Sequence, residues 1–398
     1  MSDSTVVEAA AAQMEEVVEL RRRIHRHPEL GLDNPRTQEA VVEALDGLGM
    51  AVTTGRATTS VVAVMDGGQP GPTLLLRADM DGLPMHEDTG LDFASGVDDT
   101  MHACGHDAHV AMLVGAARVL HDRRGELAGR VAFAFQPGEE GHHGARVMLE
   151  EGLLDGDDAP GAAFAIHITP TIPSGWLATR PGPFMASADV LRITVRGRGG
   201  HASMPHQALD PIPVACEIVG AIQAMVTRTV DAFDPAVVTI ARIEAGTTNN
   251  VIPESAQLTG TIRAVSEQTR TLVLDGLRRL AGGIAAAHGA DADVDVEQGY
   301  PVTVNDDGFA TFAEEVARGV AGDDRTVRMP SPVMGAEDFS YWLQRVPGAM
   351  AFLGASPGPG PAAPNHSNRM VLDEDAMATG IAMHVAVALR HLAPGAGT

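Results

Sequence analysis

Residues 73–79 read TLLLRAD, three leucines enclosed by Thr73 and an Arg-Ala-Asp exit. So short an apolar run, closed by charged residues, predicts a strand buried on both faces of a sheet. Such a strand needs helices on either side, and the neighbouring sequence supplies them. Upstream, a helix is expected from about Ser4 to Arg26, stopped near Pro28, then another over Arg36–Leu48 and a strand over Thr59–Met65. Downstream come a helix at Asp107–His121, a strand at Val131–Phe135, a helix at Gly144–Glu151 and a strand at Ala162–His167. This alternation points to an α/β fold, a mixed sheet with helices on both faces.

The rhythm changes near Pro183. Asp189–Arg196, Ala236–Glu244, Ala256–Ala264 and Ala292–Glu297 read as strands, with helices at Ile212–Thr229 and Glu267–His288. The order βαββαβ is that of a ferredoxin-like unit. After Tyr300 the α/β style returns, with a short strand at Met350–Leu353 and a last helix near Glu374–His391. The expected architecture is a discontinuous domain, 1–184 and 298–398, carrying an inserted domain at 185–297.

Composition removes several functions. A formal net charge of −24 argues against nucleic acid, whose phosphates need clustered positive charge. The opening residues lack the basic start of a secretory signal, and no apolar run reaches the ~20 residues of a membrane span. Two cysteines, Cys104 and Cys216, make no disulfide scaffold, so a cytoplasmic setting is expected. All 28 basic residues are arginine. Without lysine there is no Walker phosphate loop, Schiff base or lysine carbamate, and chemistry falls to His, Cys, Asp, Glu or Arg.

Those residue types concentrate in two places. MHACGHDAH at 101–109 packs three histidines and a cysteine at the opening of a helix. Cys104 and His106 sit two apart on the entry loop, where both can turn toward one ion and a helix N-terminus favours a thiolate; a buried free cysteine beside capping histidines is the alternative. In FAFQPGEEGHHG, 133–144, a buried strand runs into Pro137-Gly138 and presents Glu139 and Glu140. Adjacent carboxylates point different ways, which suits one as ligand and one as general base, or simply a solvated pair at a helix start. His167 ends an apolar strand, where a lone histidine is more often a satisfied core residue than a ligand, and His366 in the loop PNHSN is similarly ambiguous. Together these groups fall at strand and loop ends, where an α/β fold places its site.

Two further motifs fail on physical grounds. Gly197–Ala202 matches G-x-G-x-x-A after a strand, but Pro205, Pro211 and Pro213 oppose the helix that would hold a pyrophosphate. Gly354–Gly358 matches G-x-S-x-G, yet the residue after Ser356 is Pro357, which has no N–H for an oxyanion hole.

As a set, RRRIHRHPELG (21–31), LLLRADMDGLP (74–84), MHACGHDAH, FQPGEEG (135–141), GRGGHASMPH (197–206), NNVIPESAQLTGTIRA (249–264), MGAEDFS (334–340) and NHS (365–367) resemble the hippurate and indole-acetyl-amino-acid (auxin-conjugate) hydrolases. These form the amidohydrolase branch of the aminoacylase and carboxypeptidase metallopeptidases. The resemblance spans nearly the whole chain. It implies hydrolysis of the amide bond of small N-acyl amino acids, with a dipeptidase or carboxypeptidase of the same superfamily as the alternative. It further implies two divalent metals (zinc, manganese or cobalt) held by Cys104, His106, Glu140, His167 and His366, with Cys104 as the bridge. Glu139 would be the general base and Asp79 would orient a metal-binding side chain. The inserted domain would be a lid and dimerisation domain making a homodimer. Its His201 and Asn250 would stabilise the oxyanion or position the amide, and Arg263 would pair with the substrate carboxylate. His25 and His27 have no ligand role in such a scheme, and His109, His142 and His143 belong behind the ligands or at the surface.

Overall fold

The structure, a computed structural model, describes residues 3–395. The chain divides into two compact units, one taking in the chain through Gly182, Val304–Ser331 and the chain from Asp338 onward, the other Pro183–Thr303 with Pro332–Glu337.

The first unit is built on an eight-stranded mixed sheet, in the order Ala51–Thr54, Val61–Asp66, Ala128–Gln136, Gln69–Asp79, Pro160–Thr169, Gly348–Gly354, Leu177–Thr179 and Thr326–Arg328. Strand Gln69–Asp79 lies inside it, parallel to both neighbours. Leu74, Leu75 and Leu76 have no solvent exposure. Leu74, Leu76 and Ala78 face the main core with helices Met14–His25, His106–Asp122 and Ala376–His391. Leu75 points to the opposite face and is equally buried, as a central strand requires. Burying each leucine contributes roughly 1.5–3 kcal/mol. Parallel neighbours also put the ends of these strands side by side, so Asp79, Gln136 and Thr169 leave the sheet at the same edge.

Two departures from expectation have structural causes. The single helix read over 4–26 is two, Asp3–Ala11 and Met14–His25; the break lets Val6 and Ala10 of the first and Val17 and Ile24 of the second reach the same core. Helix Asp307–Ala321 went unread because Asp306, Asp307 and Gly308 look like a loop. Asp306 is in fact its N-cap, accepting from the Phe309 N–H at 2.8 Å.

The second unit carries a four-stranded antiparallel sheet ordered Ala236–Ala245, Ser255–Ala264, Asp189–Arg196, Asp291–Gln298. Helices Pro211–Thr229 and Glu267–Ala287 complete the ferredoxin-like order. Strand Asp189–Arg196 buries alternate residues, and Leu191, Ile193 and Val195 pack with Ile218, Ile222 and Leu277. No helix follows the glycines at 197–200 directly: a short strand, Gly200–His201, and a single turn at Pro205–Gln207 come first.

Candidate metal centre

Five of the residues singled out in the sequence come together at the strand ends of the first unit. Gly105 makes the first contribution. It has φ +88°, and a Cβ there would stand 2.6 Å from the Ile168 side chain. Only glycine turns the chain so sharply and so closely, and the turn presents Cys104 and His106 on either side of it. Asn365 donates to the Cys104 and Ile168 carbonyls at 3.0 and 3.3 Å, and the His366 N–H bonds the Ala103 carbonyl at 2.8 Å. His366 itself sits in the left-handed region, φ +65°. Such strain in a non-glycine residue costs about 1–3 kcal/mol and persists where surrounding contacts hold it.

The ligand-type atoms of Cys104, His106 and His167 lie within 4.8 Å of one another, and so do those of Cys104, Glu140 and His366. Cys104 belongs to both trios. A third group joins His106 to Glu139 and Glu140. Cys104 Sγ is 3.3 Å from His167 Nε2, and His366 Nε2 is 3.1 Å from Glu140 Oε1.

The protonation pattern leaves these atoms open for a cation. His167 donates its Nδ1–H to the Ile168 carbonyl at 2.8 Å, which turns a lone pair at Nε2 toward Cys104. Burial lowers its pKa to about 3, keeping the ring neutral. His106 is wholly buried, and neither nitrogen finds a hydrogen bond among the described residues. The closest carboxylate oxygens, of Asp81 and Asp79, are 3.5 and 3.7 Å away. Burial opposes charge on this ring, yet Asp79, Asp81 and Glu140 together push its pKa up to about 10. A field that strong favours positive charge, and a divalent cation would supply it while using the unpartnered nitrogen. Glu140 is pulled below its ordinary pKa, burial being outweighed by His366, His106 and Cys104. The donor set of thiolate, imidazole and carboxylate suits a divalent transition metal.

Asp79 also lies within 4.8 Å of His106 and His109 through its ligand-type atoms, but its oxygens are engaged. One oxygen accepts from His109 Nδ1 at 2.5 Å and the other from Arg77. Burial works against the anion, but Arg77, His106 and His109 hold it well below the carboxylate range. His109 Nε2 accepts from the Ile168 N–H at 2.7 Å, so both its nitrogens are used and it supports the site from behind. Asp81, like Arg77 and Asp338, carries no chemistry that its sequence position announces. Asp81 accepts from the Glu139 N–H at 2.9 Å and the Glu140 N–H at 3.0 Å, one on each oxygen, and so fixes the carboxylate loop at its apex. Its spacing from Asp79 in RADMD was the only clue. His25 is buried in a separate ion network with Asp107 at 2.8 Å and Glu87 at 3.2 Å.

His201, Asn250 and Arg263 belong to the second unit. His201 and Asn250 adjoin across the short pair Gly200–His201 and Val251–Ile252, with the Ala202 N–H on the Asn250 carbonyl at 3.1 Å. The Ser203 N–H reaches His201 Nδ1 at 3.1 Å, leaving Nε2 as the hydrogen-bearing nitrogen, exposed to solvent. Arg263 is half-buried on strand Ser255–Ala264; burial lowers its pKa, and the Asp189 carboxylate opposes that shift.

The strand ends of this mixed sheet thus gather a cysteine, three histidines and a carboxylate pair able to hold a divalent metal, and its relatives place the chain among metal-dependent amide hydrolases. The chain belongs to peptidase family M20/M25/M40, whose model matches residues 75–390. It is 41% identical to thermostable carboxypeptidase 1 of Saccharolobus solfataricus, over 94% of this chain and 95% of that one. It is 37% identical to IAA-amino acid hydrolase ILR1-like 2 of Arabidopsis thaliana, over 94% of this chain and 85% of the relative. The crystal structure of the Bacillus subtilis YXEP protein, a dinuclear metal binding peptidase of the M20 family, superposes with TM-score 0.84 at 35% identity, covering 96% of this chain and 99% of that one.

Proposed function

We propose that the enzyme hydrolyses the amide bond of N-acyl amino acids, releasing a carboxylic acid and a free amino acid, with two divalent ions in each subunit. The observation that carries this reading is the place of Cys104, shared by the trios Cys104–His106–His167 and Cys104–Glu140–His366, with Glu139 grouped beside them through His106 and Glu140. Cys104, His106, Glu140, His167 and His366 would hold the ions, which we take to be zinc, manganese or cobalt. When bound, such a pair acidifies water and polarises an amide carbonyl. The chain's own residues do the rest. Glu139 takes the proton of the attacking water and returns it to the leaving amine. Asp79, through its bond to His109, and Asp81, through the loop N–H groups, keep ligands and base in place. His201 Nε2–H and the Asn250 amide suit an oxyanion or the substrate amide, and the guanidinium of Arg263 suits the carboxylate of an amino acid.

A second reading, carboxypeptidase activity, is favoured by the likeness to the Saccharolobus solfataricus enzyme. Initial rates on N-acetyl and N-benzoyl amino acids, their carboxamides, and unblocked dipeptides separate the two. The N-acyl acids should be turned over fastest with each metal tried, and replacing the free carboxylate by an amide should raise KM at least 10-fold, the loss of one charge-assisted pair. Faster cleavage of unblocked peptides sinks the N-acyl reading.

We further propose a homodimer through the second unit. Strand Ala236–Ala245 is an edge of its sheet and exposes Val237 and Ile243, an arrangement that invites pairing with another chain. Light scattering should give twice the 41.5 kDa chain mass, and Ile243→Glu should shift it toward one. Cys104 and Cys216 are both free, which suits a reducing, cytoplasmic compartment. No helix among the described residues is long and apolar enough to cross a membrane.

A further inference from the structure

The loop that bears Glu139 and Glu140 leaves strand Ala128–Gln136 and enters helix Gly144–Glu151, and both of its ends are tied to one distant carboxylate. Asp338 accepts from Gln136 Nε2 at 2.7 and 2.9 Å, one bond on each oxygen, and from the Ala145 N–H at 2.9 Å. Its Oδ1 also takes Arg77 at 2.8 Å. Within the loop, the Gly144 N–H bonds the Gly138 carbonyl at 3.0 Å. A Cβ on Gly144 would lie 1.7 Å from the Pro137 carbonyl, so the closure tolerates no side chain.

Arg77 extends this tie across the sheet edge. Its Nε donates to Gln136 Oε1 at 3.0 Å, one terminal nitrogen to Asp338 and the other to Asp79. From Asp79 the chain continues through His109 to the Ile168 N–H, next in sequence to His167. One unbroken run of buried hydrogen bonds therefore joins the helix after the glutamate pair to the strand that carries a histidine ligand candidate. Arg77 and Asp338 are both buried, at 1% and 0% exposure. A buried ion pair is weak evidence for added stability, because desolvation offsets attraction. Geometry, in contrast, is what a five-donor fork provides.

We propose that Arg77 and Asp338 are a positioning pair, setting the glutamate loop in register with the histidine side of the centre so that Glu139 meets the attacking water. The inference rests on the reading of Glu139 as the base. Every partner of Asp338 is a donor: a guanidinium, an amide NH2 and a backbone N–H. Only an acceptor-only carboxylate satisfies all of them, and an asparagine must turn its own NH2 against one. Asp338→Asn then frees one loop end while leaving Cys104, His106, Glu140, His167 and His366 in place; Asp338 also lies within 4.8 Å of Glu139 and Glu337 through its ligand-type atoms, so metal content is measured beside turnover.

The test compares wild type, Asp338→Asn and Arg77→Lys as metal-loaded enzymes. It measures metal content, kcat and KM per loaded molecule, and amide exchange at Glu139, Glu140 and Ala145. Expected for both variants are two ions retained, KM little changed, kcat lower by about 10–100-fold, as for loss of a group that orients a ligand, and faster exchange confined to the loop. Arg77→Lys keeps the charge and loses the fork, so it decides the matter if Asp338→Asn does not fold. A merely structural role would lower the yield of folded, loaded protein and leave turnover per loaded molecule and loop exchange at wild-type values; that outcome overturns the proposal. Glu139→Gln that kept its turnover would remove the base assignment separately, without touching the exchange result.

Discussion

Glu139→Gln should keep both metal ions and lose about 10²–10⁴-fold in kcat, the range a positioned general base contributes. The isosteric amide preserves the backbone bond from the Glu139 N–H to Asp81 at 2.9 Å, so the loop apex stays where it is. What it removes is the carboxylate proposed for proton transfer. Glu140 is committed elsewhere: its oxygen lies 3.1 Å from His366 Nε2, and its neighbours hold it below the ordinary carboxylate pKa, a poor base and a good ligand. Metal content by mass spectrometry alongside steady-state kinetics separates the two roles. A variant that lost metal as well as turnover would make Glu139 a ligand, and one with near-native kcat would leave the base unidentified.

The division of labour proposed for the adjacent glutamates has its origin in QPGEEG, where neighbouring loop residues must point apart. The C-G-H motif was readable for a related reason: a glycine between two ligand types implies a turn that faces them together. Strand 73–79 and the inserted unit were legible because burial on two faces or one writes itself as a continuous or an alternating apolar pattern. Other parts leave no local mark. His109 and His106 belong to the same nine-residue cluster, and nothing in their spacing says that the Ile168 N–H occupies one nitrogen of His109 while both nitrogens of His106 stay open. Asp81 acts through oxygens that receive backbone N–H groups from a segment 58 residues away. Arg77 and Asp338 are 261 residues apart, and their contact exists only because the sheet brings strand Gln69–Asp79 to the glutamate loop. The short outer strands Ala51–Thr54, Leu177–Thr179 and Thr326–Arg328 were passed over because three or four residues carry too few alternations to register.

Cys104→Ser should be the more damaging change for metal itself. The substitution keeps a small side chain at a position with 6% exposure, so the turn at Gly105 and the surrounding packing survive. It replaces a soft thiolate by a neutral hydroxyl, a far weaker ligand for the same ions. Because Cys104 is the one member common to the His106–His167 and Glu140–His366 trios, both halves of the centre lose a donor at once. Loss of a residue that only orients a ligand costs about 10–100-fold in metal affinity or activity, and loss of a shared ligand should exceed that. The expected readout is fewer than two ions per chain after dialysis, with activity down by more than 100-fold and thermal unfolding no longer shifted by added metal. His366, exposed at the rim and proposed to serve one ion alone, gives the contrast: His366→Ala should cost one ion and leave the other bound. If Cys104→Ser instead retained two ions and lost no more activity than His366→Ala, the cysteine would be an ordinary terminal donor, and the bridge would have to be sought among the carboxylates of Glu139 and Glu140.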